Sequence, residues 1–236
     1  MRAGDDLAAL VLAACPSELS GEDVLVIAHK VVSKAEGRVR ALGEVEPGPR
    51  ATSLAGELCR DARMVQVLLD EATSVLRAER GVLICETRHG YVCANAGVDR
   101  SNAGGGDLAV LLPADPDASA RSLRARIALA RGVRPAVLVT DSFGRAWRLG
   151  QTDVAVGAAG LRVLDDWRGR GDAGGRELSA TVIAVADSVA GAADLVRSKD
   201  GRRPAVLVRG LGHLVSDDDG PGAAALRRPR EEDLFR

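Results

Sequence analysis

The chain has 236 residues, of which 46% are apolar and only 2% aromatic, and its formal net charge is −1. The balanced charge and the scarcity of aromatic rings argue against nucleic-acid and membrane partners, because nucleic-acid binding uses basic patches and stacking platforms. No apolar run reaches the ~18 residues of a membrane span, and the N-terminus turns acidic where a signal peptide would be basic. We therefore expect a soluble, cytoplasmic protein.

Helical and strand patterns alternate through the first half of the chain. Asp5 or Asp6 precedes a helix over Leu7–Ala14, and the apolar run Val24–Ala28 predicts a buried strand. A polar, basic loop is expected over 29–38. The remaining predictions in this half are helices over 51–61 and 64–77 and strands over 82–85 and 90–94, the last two paired as a hairpin.

The second half begins with a Gly-rich segment over 102–106, which predicts a mobile loop. Asp115-Pro116-Asp117 marks the start of a helix that should run to about Arg131. The other expected elements are strands over 108–112, 136–140, 178–186 and 205–208, a helix over 188–196 and a flexible acidic stretch over 217–222.

This order of elements indicates an α+β fold with mixed sheets and flanking helices. Helices and strands interleave without a steady βαβ rhythm, and neither GxGxxG after a first strand nor GxxxxGK[ST] occurs. Rossmann and P-loop folds are therefore disfavoured. We expect one domain over 1–236, with two subdomains as the alternative, and a partly flexible tail over 215–236.

The most informative stretch covers residues 86–102, where an apolar segment ends in a loop carrying Asp99, Ser101 and Asn102. Asp141 closes another apolar run and is followed by Ser142. Hard divalent cations prefer oxygen ligands and often bridge to phosphates, so two acids at strand ends predict a metal- and nucleotide-dependent enzyme. The alternative is that each aspartate caps a turn through local hydrogen bonds.

Three basic residues are candidates for binding anions. Lys34, in a loop of small residues after a strand, can reach a phosphate as a point charge, or it can be a solvated surface lysine. Arg145 and Arg148 flank Trp147, and their guanidinium groups suit the carboxylate or phosphate of a substrate. Stacking of these arginines on Trp147 without a ligand is the alternative.

Together these blocks resemble the coenzyme F420-0:L-glutamate ligase family, also called F420:γ-glutamyl ligases. The matching blocks follow the family's order along nearly the whole chain. They are Gly4-Asp5-Asp6-Leu7 and residues 30–37, 86–102, 112–119, 140–152, 184–187 and 206–210.

The resemblance implies an α+β fold with an intertwined homodimer and a GTP-dependent ligase activity. Such enzymes add L-glutamate to the lactate carboxylate of F420-0 through an acyl phosphate, and then a second glutamate through its γ-carboxylate. The family implies two divalent cations, Mn²⁺ or Mg²⁺, and one K⁺. The alternatives are a catalytically impaired nucleotide-binding module and a metal-dependent phosphotransferase or hydrolase.

The resemblance also assigns roles to individual positions. Asp99 and Asp141 match ligands of the first metal, and Ser142 matches a ligand of the second. The residues that match GTP contacts, or fall beside them, are His29, Lys34, Asn102 and Lys199, the last within a late nucleotide-binding stretch over 197–204.

Two features depart from the family pattern. His29 stands where members usually carry a hydroxyl residue. Members also usually have a strand before Gly-Asp-Asp-Leu that helps to hold GTP, whereas Gly4 here lies three residues after Met1. Either the start of the chain is shorter than in relatives, or its contacts with the nucleotide are altered. We expect a stand-alone ligase that ends at Arg236.

Overall fold

The computed structural model of the chain describes residues 1–15, 18–100 and 107–235. The chain divides into two compact units, each built from separate stretches of sequence. The first unit comprises Met1–Leu7, His29–Asp115 and Ser142–Thr152, and the second comprises Ala8–Ala28, Pro116–Asp141 and Asp153–Arg236. Both units contain helices and strands, which confirms the predicted mixed α+β class.

The helices and strands are numbered in chain order. The α-helices are α1 (Leu7–Ala14), α2 (His29–Ala35), α3 (Pro49–Leu58), α4 (Ala62–Glu71), α5 (Pro116–Arg131) and α6 (Val185–Asp194). The strands are β1 (Val24–Ala28), β2 (Val39–Ala41), β3 (Ala72–Glu79), β4 (Val82–Thr87), β5 (Val92–Ala94), β6 (Leu108–Val110), β7 (Ala136–Arg145), β8 (Arg148–Ala159), β9 (Asp165–Asp166), β10 (Val182–Ile183) and β11 (Ala205–Val208). Short 3₁₀ turns occupy Leu42–Glu44, Asn95–Gly97, Gly212–Leu214, Ala223–Leu226 and Arg230–Glu232.

The first unit contains two antiparallel sheets, one of strands β3-β4-β5 and one of β2 and β6. Burial alternates along β4, so that Leu83, Cys85 and Thr87 face inward, as expected for a strand with one face on a core. The predicted hairpin of β4 and β5 is confirmed, with Cys85 opposite Cys93. Leu83 and Cys85 join a core that includes Leu68 of α4.

The second unit is built on a four-stranded sheet in the order β11-β1-β7-β8. Strand β1 is central, parallel to β7 and antiparallel to β11, and Val24–Ile27 are fully buried. A continuous apolar run is typical of a strand covered on both faces. Within the described part of the chain, no helix combines the length and apolar character needed to cross a membrane.

Two predicted elements were wrong over part of their length. The helix expected over 64–77 ends at Glu71, and strand β3 begins at Ala72. Thr73 and Val75 are β-branched and favour a strand, and β3 pairs with β4. The strand expected over 178–186 is reduced to Val182–Ile183, since helix α6 already begins at Val185.

Two further predictions differ at the segments that carry candidate site residues. The loop expected over 29–38 is helix α2 up to Ala35, so Lys34 lies on a helix. The strand expected over 136–140 continues to Arg145, so Asp141 lies inside β7 and does not cap a turn after it. The Gly-rich segment 102–106 lies outside the described residues.

The C-terminal acidic stretch over 217–222, predicted to be flexible, is held in the second unit by hydrogen bonds. The guanidinium of Arg124, which has no exposed surface, donates to the carboxylate of Asp219 at 2.8 Å and to the backbone carbonyls of Ser216 and Asp217. The carboxylate of Asp117 accepts from the backbone N–H of Ala223 at 2.7 Å. Gly222 has a φ of 79°, and a Cβ there would overlap the Asp117 carboxyl group.

Candidate functional site

Helix α2 begins directly after strand β1 and carries two lysines on one face. Lys30 and Lys34 are one helical turn apart, which is the spacing at which helical side chains become neighbours. His29, the first residue of the helix, is buried, and its Nδ1 lies 3.4 Å from the hydroxyl of Ser33. The strand–helix junction therefore presents a basic face of half-buried lysines in the first unit.

Asp99 lies in the same unit and is held through its backbone. Its N–H donates to the carbonyl of Val110 at 3.0 Å and its carbonyl accepts from the N–H of Val110 at 2.8 Å, so the residue forms a β-bridge beside β6. Its carboxylate, about one-third exposed, forms an ion pair with the ammonium of Lys30. Asp99 thus already holds a cationic group on a fixed backbone.

A cleft of about 300 Å³ opens next to Asp99 within the first unit. Its walls carry charges of both signs, and hydrogen bonds from Arg63 lower the pKa of the Asp61 carboxyl group. Arg60 donates to the amide oxygen of Asn95 at 2.6 Å, which fixes both side chains. The lining residues are Arg60, Asp61, Met64, Asn95, Val98, Asp99 and Arg100.

The other predicted metal ligands, Asp141 and Ser142, are consecutive half-buried residues of β7. Side chains of consecutive strand residues point to opposite faces of the sheet. Asp141 belongs to the second unit and Ser142 to the first. A cation shared by Asp99 and Asp141 therefore stays a prediction.

Thr140, directly before Asp141, belongs to a buried polar cluster in the second unit. Its hydroxyl donates to the carboxylate of Asp153 at 2.8 Å and accepts from the guanidinium of Arg197 at 2.9 Å. Arg197 also forms an ion pair with Asp153. Thr140 is 1% exposed and Asp153 4% exposed, so this cluster is nearly closed to solvent.

The remaining predicted residues lie at the surface or outside the described ranges. Arg145 and Arg148 flank the two-residue turn between β7 and β8, and Arg145 donates to the carbonyl of Leu149 at 2.8 Å. Lys199, 72% exposed, lies 3.7 Å from the carboxylate of Asp194. Asn102 lies outside the described residues, so its predicted contact with GTP is untested.

Part of the informative stretch 86–102 serves the scaffold. Arg88 donates to the buried carboxylate of Glu71 at 2.7 Å, and Arg38 donates to its other oxygen at 2.7 Å. The Nε2–H of His89 donates to the carbonyl of Pro113 at 2.9 Å, and burial lowers the pKa of this imidazole. These contacts hold the turn after β4 in place.

The donor chemistry of the predicted ligands fits a hard divalent cation. Carboxylates and a hydroxyl are oxygen donors, and the ammonium of Lys30 marks the carboxylate of Asp99 as a position for positive charge. In the described ranges no group of three His, Cys, Asp or Glu side chains could hold a metal ion.

Fold and side chains together define a broad class: a mixed α+β protein with hard oxygen donors and a basic helix face that follows a buried strand. Comparison with known proteins narrows it. The profile of the F420-0:Gamma-glutamyl ligase family matches residues 1–210. The chain belongs to this family.

Curated relatives extend the match over the whole chain. A protein of Methanopyrus kandleri named Coenzyme F420:L-glutamate ligase is 48% identical over 238 residues, covering 100% of this chain and 93% of the relative. Proteins of the same name from Methanothermobacter thermautotrophicus and Haloarcula marismortui are each 44% identical, covering 99% and 100% of this chain and 94% and 91% of the relatives.

Sequence reasoning assigned no role to Lys30 or Thr140 and did not indicate the ion pair of Asp153 with Arg197. Lys30 carried a weak signal, since it lies one turn before Lys34 in the same basic segment. Asp153 carried a clearer one, because a charged residue at the start of the apolar run 154–159 must be paired if that run is buried. Its partner Arg197 is too distant in sequence for any local pattern to indicate.

Proposed function

We propose that the chain is a ligase that joins L-glutamate to coenzyme F420-0 with the use of GTP. The observation that carries the proposal is the family match over residues 1–210. Relatives of nearly the same length named Coenzyme F420:L-glutamate ligase support it. The retained candidate residues Asp99, Asp141 and Ser142 favour an active enzyme over an impaired binding module.

The proposed chemistry proceeds by activation of a carboxylate. An oxygen of the lactyl carboxylate attacks the γ-phosphorus of GTP, the bond to the β-phosphate oxygen breaks, and GDP leaves. The amine of L-glutamate then attacks the carbonyl carbon of the acyl phosphate, phosphate departs, and the nitrogen loses a proton to form the amide. A second glutamate joins through the γ-carboxylate by the same steps.

In this proposal each candidate residue has one task. Asp99, Asp141 and Ser142 would hold the two divalent cations, Mn²⁺ or Mg²⁺. When bound there, the cations would supply positive charge to offset the negative charge on the transferring phosphoryl group. Phosphoryl transfer depends mainly on positioning and electrostatic stabilisation. The protein therefore has to hold GTP and the substrate carboxylate in the correct relative orientation.

The basic residues bind and orient the substrates. His29, Lys34, Asn102 and Lys199 are assigned to GTP. Arg145 and Arg148, both exposed, are assigned to substrate carboxylate or phosphate groups. One guanidinium group can donate two parallel hydrogen bonds to two oxygens of such a group. A bound K⁺ is also part of the proposal.

A homodimer and a cytoplasmic location complete the proposal. The turn between β7 and β8 leaves Trp147 81% exposed and Leu149 97% exposed. Large apolar side chains that are clustered and exposed often mark a surface that another chain covers. This supports burial of the hairpin by a second copy.

The test is a glutamylation assay with a mass readout. Purified protein is incubated with F420-0, L-glutamate, GTP, Mn²⁺ and K⁺, and both F420 species and guanine nucleotides are measured. The proposal expects F420-0 to gain one or more glutamates with one GDP formed for each. GDP without glutamylation would identify a hydrolase or phosphotransferase, and neither product would identify an impaired nucleotide-binding module.

A further inference from the structure

Among the described residues of the second unit, two arginines with buried guanidinium groups pair with aspartates, and one of these pairs lies next to predicted site residues. Arg124 pairs with Asp219 and ties down the C-terminal stretch. Arg197 pairs with Asp153, and both side chains are more than nine-tenths buried. Both members of the second pair also form hydrogen bonds with the hydroxyl of Thr140.

Stability alone is a poor explanation for the pair of Arg197 and Asp153. Removing two charges from water costs several kcal/mol per ion, and apolar side chains of similar volume often stabilise such a position equally well. The surroundings of Asp153 on β8 are apolar, as the buried residues Ala155 and Val156 show. A buried charge cluster in such surroundings points to a need for defined geometry.

The cluster joins three segments at positions next to predicted site residues. Thr140 is followed on β7 by Asp141, and on the other side it pairs with Ala28, the last residue of β1. Arg197 follows helix α6 and begins the segment 197–204, which contains Lys199. The carboxylate of Asp153 therefore contacts the residue before a predicted metal ligand and the first residue of the predicted nucleotide-binding stretch.

We propose that Asp153 and Arg197 are positioning residues, which fix through Thr140 the part of β7 that presents Asp141 to the cation. The proposal rests on the proposed function, because it takes Asp141 as a metal ligand. The hydroxyl of Thr140 has one donor and accepts from one donor within the cluster, so its rotamer is determined by both partners. Loss of a group that hydrogen-bonds directly to a metal ligand commonly weakens metal affinity by about 10- to 100-fold. Because this cluster acts on Asp141 through the backbone of β7, we expect an effect at the lower end of that range.

The experiment compares matched variants of the full chain. Asp153→Asn and Asp219→Asn each remove the charge beside a buried arginine, and only the first touches Thr140. Thr140→Val removes the hydroxyl at nearly constant volume, whereas Thr140→Ser keeps it. The readouts are Mn²⁺ binding, measured by electron paramagnetic resonance of the free ion at constant GTP, the Mn²⁺ concentration for half-maximal glutamylation, and thermal unfolding.

We expect Asp153→Asn and Thr140→Val to weaken Mn²⁺ binding by about tenfold, while Thr140→Ser and Asp219→Asn bind like the wild type. Asp219→Asn should lower the unfolding temperature without moving Mn²⁺ affinity. The inference is overturned if Asp219→Asn weakens Mn²⁺ binding as much as Asp153→Asn, or if Thr140→Val binds Mn²⁺ like the wild type. Should Asp153→Asn fail to fold, the two Thr140 variants decide.

Failure of the proposed function gives a different result. If the wild type neither binds Mn²⁺ nor glutamylates F420-0, the proposed ligase is wrong and the positioning role falls with it. If the wild type does both and the Thr140 and Asp153 variants match it, only the positioning role is wrong.

Discussion

Asp99 combines a fixed backbone with a carboxylate that already faces a cation. Both backbone hydrogen bonds to Val110 and the ion pair with Lys30 are local to the first unit. Since the backbone bonds do not involve the carboxylate, a change at the side chain should leave the β-bridge intact.

Replacing this carboxylate is the most direct test of the metal assignment. We expect Asp99→Asn, and likewise Asp141→Asn, to lower the rate of glutamylation by at least about 100-fold without unfolding the protein. The reason is that losing a metal ligand should weaken metal binding more than losing a residue that only orients the ligand. The rate is measured over a range of Mn²⁺ concentrations, with circular dichroism as the check on folding.

The matched control for Asp99→Asn is Asp70→Asn. Asp70 also pairs with a cation, Arg40 at 3.1 Å, in the first unit, and neither residue has been assigned to the site. Near-normal turnover of Asp99→Asn at limiting Mn²⁺, or an equal loss in both variants, would contradict the assignment.

Lys34 provides a second prediction about a single side chain. Lys34→Ala should raise the Michaelis constant for GTP by about tenfold and leave kcat less affected, since a charge-assisted contact contributes roughly 1.5–3 kcal/mol. Arg77→Ala, which removes a charge from an exposed pair with Glu79, is the control. An unchanged constant for GTP in Lys34→Ala would argue against a phosphate contact.

At the level of residues, the sequence indicated the types of donor but not their partners. Asp99 and Asp141 stand out because acids interrupt apolar runs there, and that signal is local. The ion pairs of Asp99 with Lys30 and of Asp153 with Arg197 join residues far apart in the chain. Such pairs depend on the tertiary fold, so neither periodicity nor local propensity can predict them.

At the level of elements, the turn between β4 and β5 is held in the first unit by a titratable side chain. His89, in the turn between these strands, donates to the carbonyl of Pro113, and burial is the main cause of its lowered pKa. Glu71 opposes this shift and Arg88 adds to it.

The imidazole of His89 should make stability depend on pH. Because its pKa is lower in the folded state than the usual 6.5, the unfolded chain binds the proton first as the pH falls. The stabilisation is fully present above pH 6.5 and is lost as the pH falls from there through the folded-state pKa. The free energy of unfolding, measured in urea across this range, should therefore fall more steeply with acid in the wild type than in His89→Gln.

Glutamine at position 89 keeps an amide donor for the carbonyl of Pro113 and does not titrate. The difference between wild type and variant isolates the imidazole from the other groups that titrate in acid. Parallel curves below pH 6.5 would show that His89 titrates alike in both states.

Local patterns predicted several elements well. Helix α1, strand β1, helix α5 and strand β11 follow the expected bounds, because each is a continuous apolar run or an apolar-patterned helix with a start or stop signal beside it. The errors lie at 72–77 and 178–186, where long-range pairing or an early helix start decided the outcome. Local propensity is a weak guide at such positions, since tertiary contacts override it.

At the level of the whole molecule, the order of helical and strand patterns predicted a mixed α+β chain. It did not indicate how the units are assembled from separate stretches, with strands β7 and β8 each contributing to both. That division follows from contacts between distant segments. Glycine-rich β8 in particular lacks the strand propensity that would have revealed a strand from Arg148 to Ala159.

The second unit should depend strongly on the fully buried Arg124. We expect Arg124→Met to lower the free energy of unfolding by about 3–5 kcal/mol, because it leaves the backbone carbonyls of Pro135, Ser216 and Asp217 without this donor and each unsatisfied buried group costs about 1–3 kcal/mol. Arg126→Met, on the exposed face of the same helix, should change stability by less than about 0.5 kcal/mol. Chemical denaturation measures both, and similar losses in the two variants would contradict the expectation.

Several partners of Arg124 and Asp117 lie beyond residue 210, where the family profile ends. A chain shortened at that residue would leave the guanidinium of Arg124 with the backbone carbonyls of Arg134 and Pro135, and the carboxylate of Asp117 with the N–H of Ala158, but without their C-terminal partners. Gene trimming or chimera design guided by the profile boundary alone would therefore yield an aggregation-prone product. The usable cut lies after Leu226, where the last of these anchoring turns ends.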